Sequence, residues 1–346
     1  MRILHIVNTS WFSGAEKIAC QLINAFKNEA DVAYCGFDGS IKAVLKDQNI
    51  PFLPIKKMSV GELKKIYEKF KPDVIHAHDM RASFFASLSC GLIPVICHIH
   101  GNALDSRRIS LKSILFLFAA YKAKHIFWVH ESSFDGYIFH SFFKEKSSIL
   151  QNVLNTELLA KKKVEDCSNY DYDVVYLGRL TSQKNPERLL KVFHKLVAIN
   201  PSVKCAIVGE GIMADVIADL IKQNSLTKNV FLLGFKNNPM KLLSDCKVMV
   251  MTSCWEGLPM CALEALTLGL PVVSTPVDGL RTIVKNGING YLSDNDDEIV
   301  NYLNKLICDK DLHDKLSRNA VALSKEYNDF DTYKQHVATV YNAICD

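Results

Sequence analysis

The segment Ser253-Cys254-Trp255-Glu256-Gly257-Leu258-Pro259-Met260-Cys261-Ala262-Leu263-Glu264 places two carboxylates on an E-x7-E spacing. The apolar run Val248-Met249-Val250-Met251 ahead of it reads as a buried parallel strand. Gly257 supplies a turn, Pro259 suits the first position of a helix, and Gly269 suits the C′ position before Pro271. Backbone N–H groups at the helix start, around Gly257, Leu258, Pro259 and Met260, have no partner within the helix. The macrodipole adds partial positive charge there, so the place accepts an anion. Carboxylates beside such a place make poor sense for phosphate alone. They make better sense for a ligand that also carries hydroxyls, which carboxylates hold as acceptors. A sugar nucleotide has all three parts: a hydroxyl-rich hexose, a diphosphate and a ribose. The plain alternative is a solvated helix glutamate with an unrelated loop glutamate.

A second set lies in the loop after the strand Asp173-Val174-Val175-Tyr176-Leu177-Gly178. Arg179 offers a planar fork and Lys184 a point charge, the usual chemistry for a diphosphate. The competing reading is a salt-bridged pair. Gly178 lets the backbone approach a ligand, and Asn185 can cap a helix starting at Pro186. Asp171-Tyr172-Asp173 spells D-x-D, but it precedes its strand and is read as chance. Four histidines form two H-x-H pairs, His76 with His78 and His98 with His100, each at a strand end. Strand alternation alone puts i and i+2 on one face, and no carboxylate set completes a site, so no metal is assigned.

These residues carry a resemblance. Glu256-Gly257-Leu258-Pro259 through Glu264-Ala265, then Gly269-Leu270-Pro271-Val272-Val273, resembles the retaining glycosyltransferases of family 4, which have the two-domain GT-B fold. Gly178-Arg179-Leu180 followed by Lys184-Asn185, and the crossing Gln151-Asn152-Val153-Leu154-Asn155, agree with it in order. The resemblance implies that Glu256 faces the donor hexose and Glu264 holds the ribose. It also implies that Arg179 and Lys184 neutralise the leaving nucleotide, and that His100, followed by Gly101, sits at the reaction centre. Gly14 would approach the donor phosphates, Gly209 the donor, and Gly234 with Phe235 the nucleotide base. The implied catalytic residues are therefore His100, Glu256, Arg179 and Lys184, with no cofactor and no catalytic metal. The leaving phosphate oxygen would itself deprotonate the acceptor. The chain differs from the family at Ser13, His130 and Asp278.

The elements that must hold these residues alternate strand and helix from residue 2 onward, the pattern of an α/β doubly wound parallel sheet. A length of 346 residues suits two such domains, expected at 1–153 and 154–330, with a last helix at 331–346 returning to the first. As in the GT-B fold, the two Rossmann-like sheets would face each other across a cleft. The first domain would take the acceptor and the second the nucleotide-sugar. Eleven scattered cysteines with no C-x-x-C pair fit a reduced, cytoplasmic interior. The start reads as a strand, not a signal peptide.

Residues 1–153 carry 19 Lys and Arg against 13 Asp and Glu, which points to an anionic partner for the first domain. The basic residues are dispersed, which disfavours nucleic acid. The apolar stretch 106–124 with Arg107, Arg108, Lys112, Lys122 and Lys124 is too short to span a bilayer. It reads equally as a helix at an anionic membrane surface and as a buried helix with snorkelling lysines. With the resemblance, which implies transfer of a hexose or N-acetylhexosamine from a nucleotide-sugar, a UDP-sugar ahead of GDP-mannose, these features suggest a glycolipid or lipid-linked saccharide acceptor in surface-polysaccharide assembly at the cytoplasmic face of a membrane. Rival readings are a sugar-nucleotide 2-epimerase on the same architecture and a catalytically silent partner in an assembly complex.

Overall fold

The computed structural model describes residues 1–101 and 104–345. It divides into one unit of Met1–Asn152 with Phe330–Asp346 and a second of Val153–Asp329. In the first, seven strands run β1 (Arg2–Val7), β2 (Asp31–Phe37), β3 (Phe52–Ile55), β4 (Val74–His78), β5 (Val95–Ile99), β6 (His125–Trp128) and β7 (Ser147–Ile149). In the second, six run β8 (Val174–Leu177), β9 (Cys205–Val208), β10 (Val230–Gly234), β11 (Val248–Met251), β12 (Val272–Ser274) and β13 (Gly290–Leu292). The sheet orders are β3-β2-β1-β4-β5-β6-β7 and β10-β9-β8-β11-β12-β13, with every pairing parallel. Each order reverses once, between β1 and β4 and between β8 and β11. In open parallel sheets the loops leaving the two strands at such a reversal part to opposite sides and leave a crevice between them.

Helices cover both faces of each sheet, which explains strands such as Val248–Met251 that are apolar along their whole length. One local reading shifts. The apolar helix starts later than 106: a 3-10 turn at Leu104–Ser106 precedes the helix Leu111–Lys122, which Ser110 caps. The polar residues from Lys161 to Glu165 lie inside the helix Thr156–Glu165, capped by Asn155. Polarity there reflects a helix with a single buried residue, Leu159, and not a linker.

One face of the first sheet departs from the apolar rule. His5 lies opposite His76, and His78 opposite His98, so alternation lines their rings along the same face. All four are buried. The Phe330–Cys345 helix lies over them, with the Tyr341 hydroxyl 2.7 Å from His76 Nδ1. His76 Nε2 is 3.2 Å from His98 Nδ1, and His78 Nε2 is 3.0 Å from His5 Nδ1. Burial pulls the His5 imidazole down to about 3. Burial, then mutual repulsion, holds His76, His78 and His98 well below the usual range. These rings are therefore neutral in the folded chain.

That neutrality links stability to pH. Below its ordinary value of about 6.5 each histidine takes up a proton in the unfolded chain and refuses it in the fold. The stabilisation is complete above that value and is lost as pH falls, by about 1.4 kcal/mol per pH unit for each such ring. Urea unfolding followed by tryptophan fluorescence is expected to show a much lower midpoint at pH 5 than at pH 7, with a shallower dependence in His78→Gln. Equal midpoints at the two pH values would show that the rings are not held neutral. Tyr341→Phe, which strips a buried partner from His76, is expected to cost about 1–3 kcal/mol by the same assay at pH 7.

Candidate active site

In the second unit the loops leaving β8 and β11 flank the reversal point, and they are tied together. The Cys254 N–H donates to the Gln183 carbonyl at 2.8 Å, and Gln183 Nε2 to the Trp255 carbonyl at 3.0 Å. Thr252 Oγ1 donates to the carbonyls of Lys184 at 3.2 Å and Asn185 at 3.0 Å. Asn185 takes a left-handed conformation and its side chain accepts from the Arg188 N–H, opening the helix Pro186–Ile199. These bonds bring Lys184 and Glu256, 72 residues apart, into a direct ion pair. Ser253 Oγ donates to the same carboxylate oxygen at 2.6 Å. The two residues are only 9% and 7% exposed. The salt-bridge alternative for the two cations is thus realised at Lys184, with Glu256, and no such pair of Arg179 occurs among the described residues.

Arg179 is half-buried in the same loop, and no ion pair or hydrogen bond to its guanidinium occurs among the described residues. Its carbonyl accepts from the Tyr176 hydroxyl at 2.9 Å, which fixes the backbone that carries it. Lys184 and Glu256 cancel each other, so Arg179 gives the loop its uncompensated positive charge.

The helix that follows Glu256 begins at Met260, with Pro259 at the cap position just outside. Its far end closes as expected from Gly269: the Leu270 N–H donates to the Ala265 carbonyl at 2.8 Å and the Gly269 N–H to Leu266 at 3.1 Å, with Gly269 at φ 80°. Leu258, Met260 and Glu264 are buried, and Gly257 and Pro259 with them. The glycines around the crevice serve the chain's own packing. A Cβ on Gly209 would lie 2.0 Å from the Gly178 carbonyl oxygen, and one on Gly279 would lie 2.0 Å from that of Gly257. Gly234 is different: open space surrounds it and its φ of 67° is what calls for glycine. Its carbonyl accepts from the Gly209 N–H at 2.8 Å, and Phe235 beside it is partly buried. The expected close approach at Gly178 and Gly209 is therefore strand-end loop against strand-end loop. Close approach to Gly257 also requires glycine at 279.

Gly14 and His100 belong to the first unit. Gly14 is exposed at the start of the helix Gly14–Phe26. Ser13, where the family commonly has glycine, is used locally: its N–H and Oγ donate to Glu16 Oε2 at 3.0 and 2.6 Å, and Thr9 Oγ1 donates to the other oxygen. His130 likewise caps the helix Glu131–Asp135 by accepting from the Ser132 N–H at 3.1 Å. The Asp278 side chain lies outside the described part of the structure. Asp79, not singled out in the sequence, stands at the β1/β4 reversal with φ 87° and accepts from the Arg81 and Ala82 N–H groups. Burial, opposed by those bonds and reinforced by nearby Glu16, raises its carboxyl to about 7. Its signal in the sequence was its place directly after a strand end and before a helix.

His100 follows β5 and is partly exposed, with Nε2 2.9 Å from His78 Nδ1. It ends a chain running His100, His78, His5. A neutral imidazole has one donor and one acceptor nitrogen, so both bonds of this row form only if the tautomers run in one direction, and His5 Nε2 and His100 Nδ1 at its ends find no partner among the described residues. His5, absent from the sequence reading as a partner, joins the two H-x-H pairs because β1 lies beside β4. Two trios, His5-His76-His78 and His78-His98-His100, hold ligand atoms within 4.8 Å of one another. The closest of those nitrogens, on His78 with His5 and on His78 with His100, already face each other at hydrogen-bond distance, and no carboxylate joins either trio among the described residues. The D-x-D carboxylates are engaged at the opposite end of β8, Asp171 with Lys204 and Asp173 with Lys247 at 2.8 Å.

Comparison with known proteins gives the same picture from outside. Residues 12–158 match the family described as Glycosyltransferase Family 4, and residues 160–322 match Glycosyl transferases group 1. The chain is 28% identical over 346 aligned residues to an Escherichia coli UDP-Gal:alpha-D-GlcNAc-diphosphoundecaprenol alpha-1,3-galactosyltransferase, covering 90% of this chain and 89% of that one. It is 32% identical over 155 residues to a Campylobacter jejuni N-acetylgalactosamine-N,N'-diacetylbacillosaminyl-diphospho-undecaprenol 4-alpha-N-acetylgalactosaminyltransferase, covering 44% and 42%. Among solved structures, Anabaena HepE in complex with UDP-glucose superposes with a TM-score of 0.85 at 21% identity, over 99% of this chain and 100% of that one. At that identity the likeness speaks for the fold. With both halves of the chain matched, the two reversed parallel sheets in place and the strand-end loops joined as described, the chain belongs to glycosyltransferase family 4 and is a glycosyltransferase of the GT-B fold.

Proposed function

We propose that the chain is a retaining, metal-independent hexosyl- or N-acetylhexosaminyltransferase that uses a UDP-sugar and serves cell-surface polysaccharide synthesis. Its acceptor would be a glycolipid or lipid-linked saccharide. The observation that carries this reading is the buried Lys184–Glu256 pair in the same pair of loops as a half-buried Arg179 that meets no anion among the described residues. A diphosphate arriving there would take Arg179 and share Lys184, while the freed carboxylate oxygens of Glu256 accept hydroxyls of the hexose. Glu264 would accept the ribose hydroxyls. The E. coli and C. jejuni relatives are named for undecaprenol-linked acceptors, which supports the acceptor class.

In the reaction the bond between the sugar C1 and the leaving diphosphate oxygen breaks, and the acceptor oxygen bonds to C1 on the same face. The acceptor proton passes to the departing phosphate. Arg179, Lys184 and the helix start at Met260 stabilise the negative charge that develops, an arrangement set before the reaction begins. His100 would contact the sugar near C1.

Thermal unfolding with a panel of UDP-, GDP- and ADP-sugars, all with EDTA, tests the donor site. A UDP-sugar at a hundred times its dissociation constant should stabilise the protein by about 2.7 kcal/mol. Arg179→Ala should shrink that shift and leave the unliganded midpoint nearly unchanged. Lys184→Met should destabilise the unliganded protein itself, by about 3–5 kcal/mol, because it removes the cation paired with a buried carboxylate. No shift with any nucleotide sugar would remove the donor reading and favour a silent partner.

Turnover tests the rest. With the matching donor and an undecaprenol-linked acceptor, Glu256→Gln is expected to lower kcat by about 10²–10³, the scale of losing a preorganised transition-state contact. NMR of the product should show the donor's anomeric configuration, and EDTA should not change the rate. An inverted product, or activity restored only by added metal, would overturn the mechanism.

A further inference from the structure

The helix Leu111–Lys122 breaks the rule for a surface helix. Its buried side chains, Ser113, Phe116, Ala119 and Ala120, occupy one face. The opposite face should be polar. Instead it presents Leu111, Ile114, Phe118 and Tyr121, which are 73%, 49%, 39% and 80% exposed. At about 100° per residue these four positions fall within one narrow stripe. The stripe continues onto its neighbours. Lys122 reaches the Ser87 carbonyl at 3.3 Å, beside exposed Leu88, and Lys146 lies over the Tyr121 ring near exposed Phe142.

Charge surrounds this apolar stripe asymmetrically. Residues 107–124 carry five cations and no carboxylate; Asp105 pairs with Arg108 at 3.4 Å and with Lys112 at 2.8 Å, so the excess positive charge lies towards the other end of the helix, with Lys122 and Lys124. Lys122 sits over the Phe118 ring, and Lys146 donates to the Tyr121 and Ala123 carbonyls at 2.8 Å, so both ammonium groups are held at the edge of the stripe. Lys124 and Lys144 are exposed nearby. A protein partner would cover apolar surface equally well without cations at its rim. An anionic bilayer matches both features, since apolar side chains enter the acyl boundary while lysines meet the headgroups. Twelve residues make about 18 Å of helix, too short to cross a core of about 30 Å but suited to lying in its surface.

We propose that this face docks the first unit onto an anionic membrane surface, with the stripe in the plane of the interface. The inference rests on the surface residues and not on the donor site. The test is flotation of the full chain with vesicles of phosphatidylcholine alone and of phosphatidylcholine with an equal part of phosphatidylglycerol, without sugars. The chain should bind the anionic vesicles at least about tenfold more tightly than the neutral ones. Leu111→Glu with Tyr121→Glu should abolish binding to both, while the thermal midpoint and the UDP-sugar shift stay as in the parent. Lys124→Gln with Lys144→Gln should weaken anionic binding by about fivefold per lysine and leave neutral binding alone. Absence of binding, or unchanged binding in the Leu111/Tyr121 double variant, would overturn the proposal. So would light scattering that shows a dimer converted to monomer by that variant, since the face would then cover a second copy.

Discussion

The candidate active site depends on one desolvated ion pair. Lys184 and Glu256 leave β8 and β11, and neither could be buried alone at tolerable cost. Together they are tolerable, and the Ser253 hydroxyl takes part of the carboxylate's remaining capacity. Such a pair contributes little net stability, because attraction barely offsets the water it displaces. What it supplies is position. It holds a cation and a carboxylate at the mouth of the crevice in a state that a ligand with both anionic and hydroxyl groups can take over. A ligand offering only one kind of group would leave the other member uncompensated.

The backbone around the pair is arranged so that it can form. Glycines at 209 and 279 let strand-end loops touch carbonyl to Cα, closer than any side chain permits. The left-handed Asn185 turns the chain sharply after Lys184 and opens the next helix. The Schellman closure at Gly269 ends the Met260–Thr267 helix after two turns and returns the chain to β12. Each device is local. Their combined effect is to bring two loops, distant in sequence, within hydrogen-bond reach.

The first unit solves a different problem with the same architecture. Its sheet buries imidazoles where apolar side chains would be ordinary, and it pairs them chiefly with one another and with Tyr341, while His5 Nε2 and His98 Nε2 find no partner among the described residues. Neutral histidine suits this use because a ring inside a row can donate to one neighbour and accept from the other. The arrangement couples the exposed end, His100, to rings deep in the sheet through tautomer direction. Tyr341 of the last helix belongs to a second row, with His76 and His98, and His76 stacks on His78 of the first.

Much of this was legible in the sequence. Apolar runs alternating with helical periods announced parallel sheets, and Asn185-Pro186 and Gly269 marked helix ends, because caps and breakers act over a few residues. The E-x7-E segment and the Arg179–Lys184 loop were recognisable from chemistry that is local to each. Other features were not. That Lys184 pairs with Glu256 follows from strand order, which places β8 beside β11 across 70 residues of intervening chain. That His5 completes the histidine row follows from β1 lying beside β4. Whether the outward face of the Leu111–Lys122 helix is covered could not be read from a helix apolar on every side. Local residues determined which elements form and what chemistry each loop carries; only the tertiary structure decided which charges meet, since pairing across a sheet depends on order and register that no short stretch of chain contains.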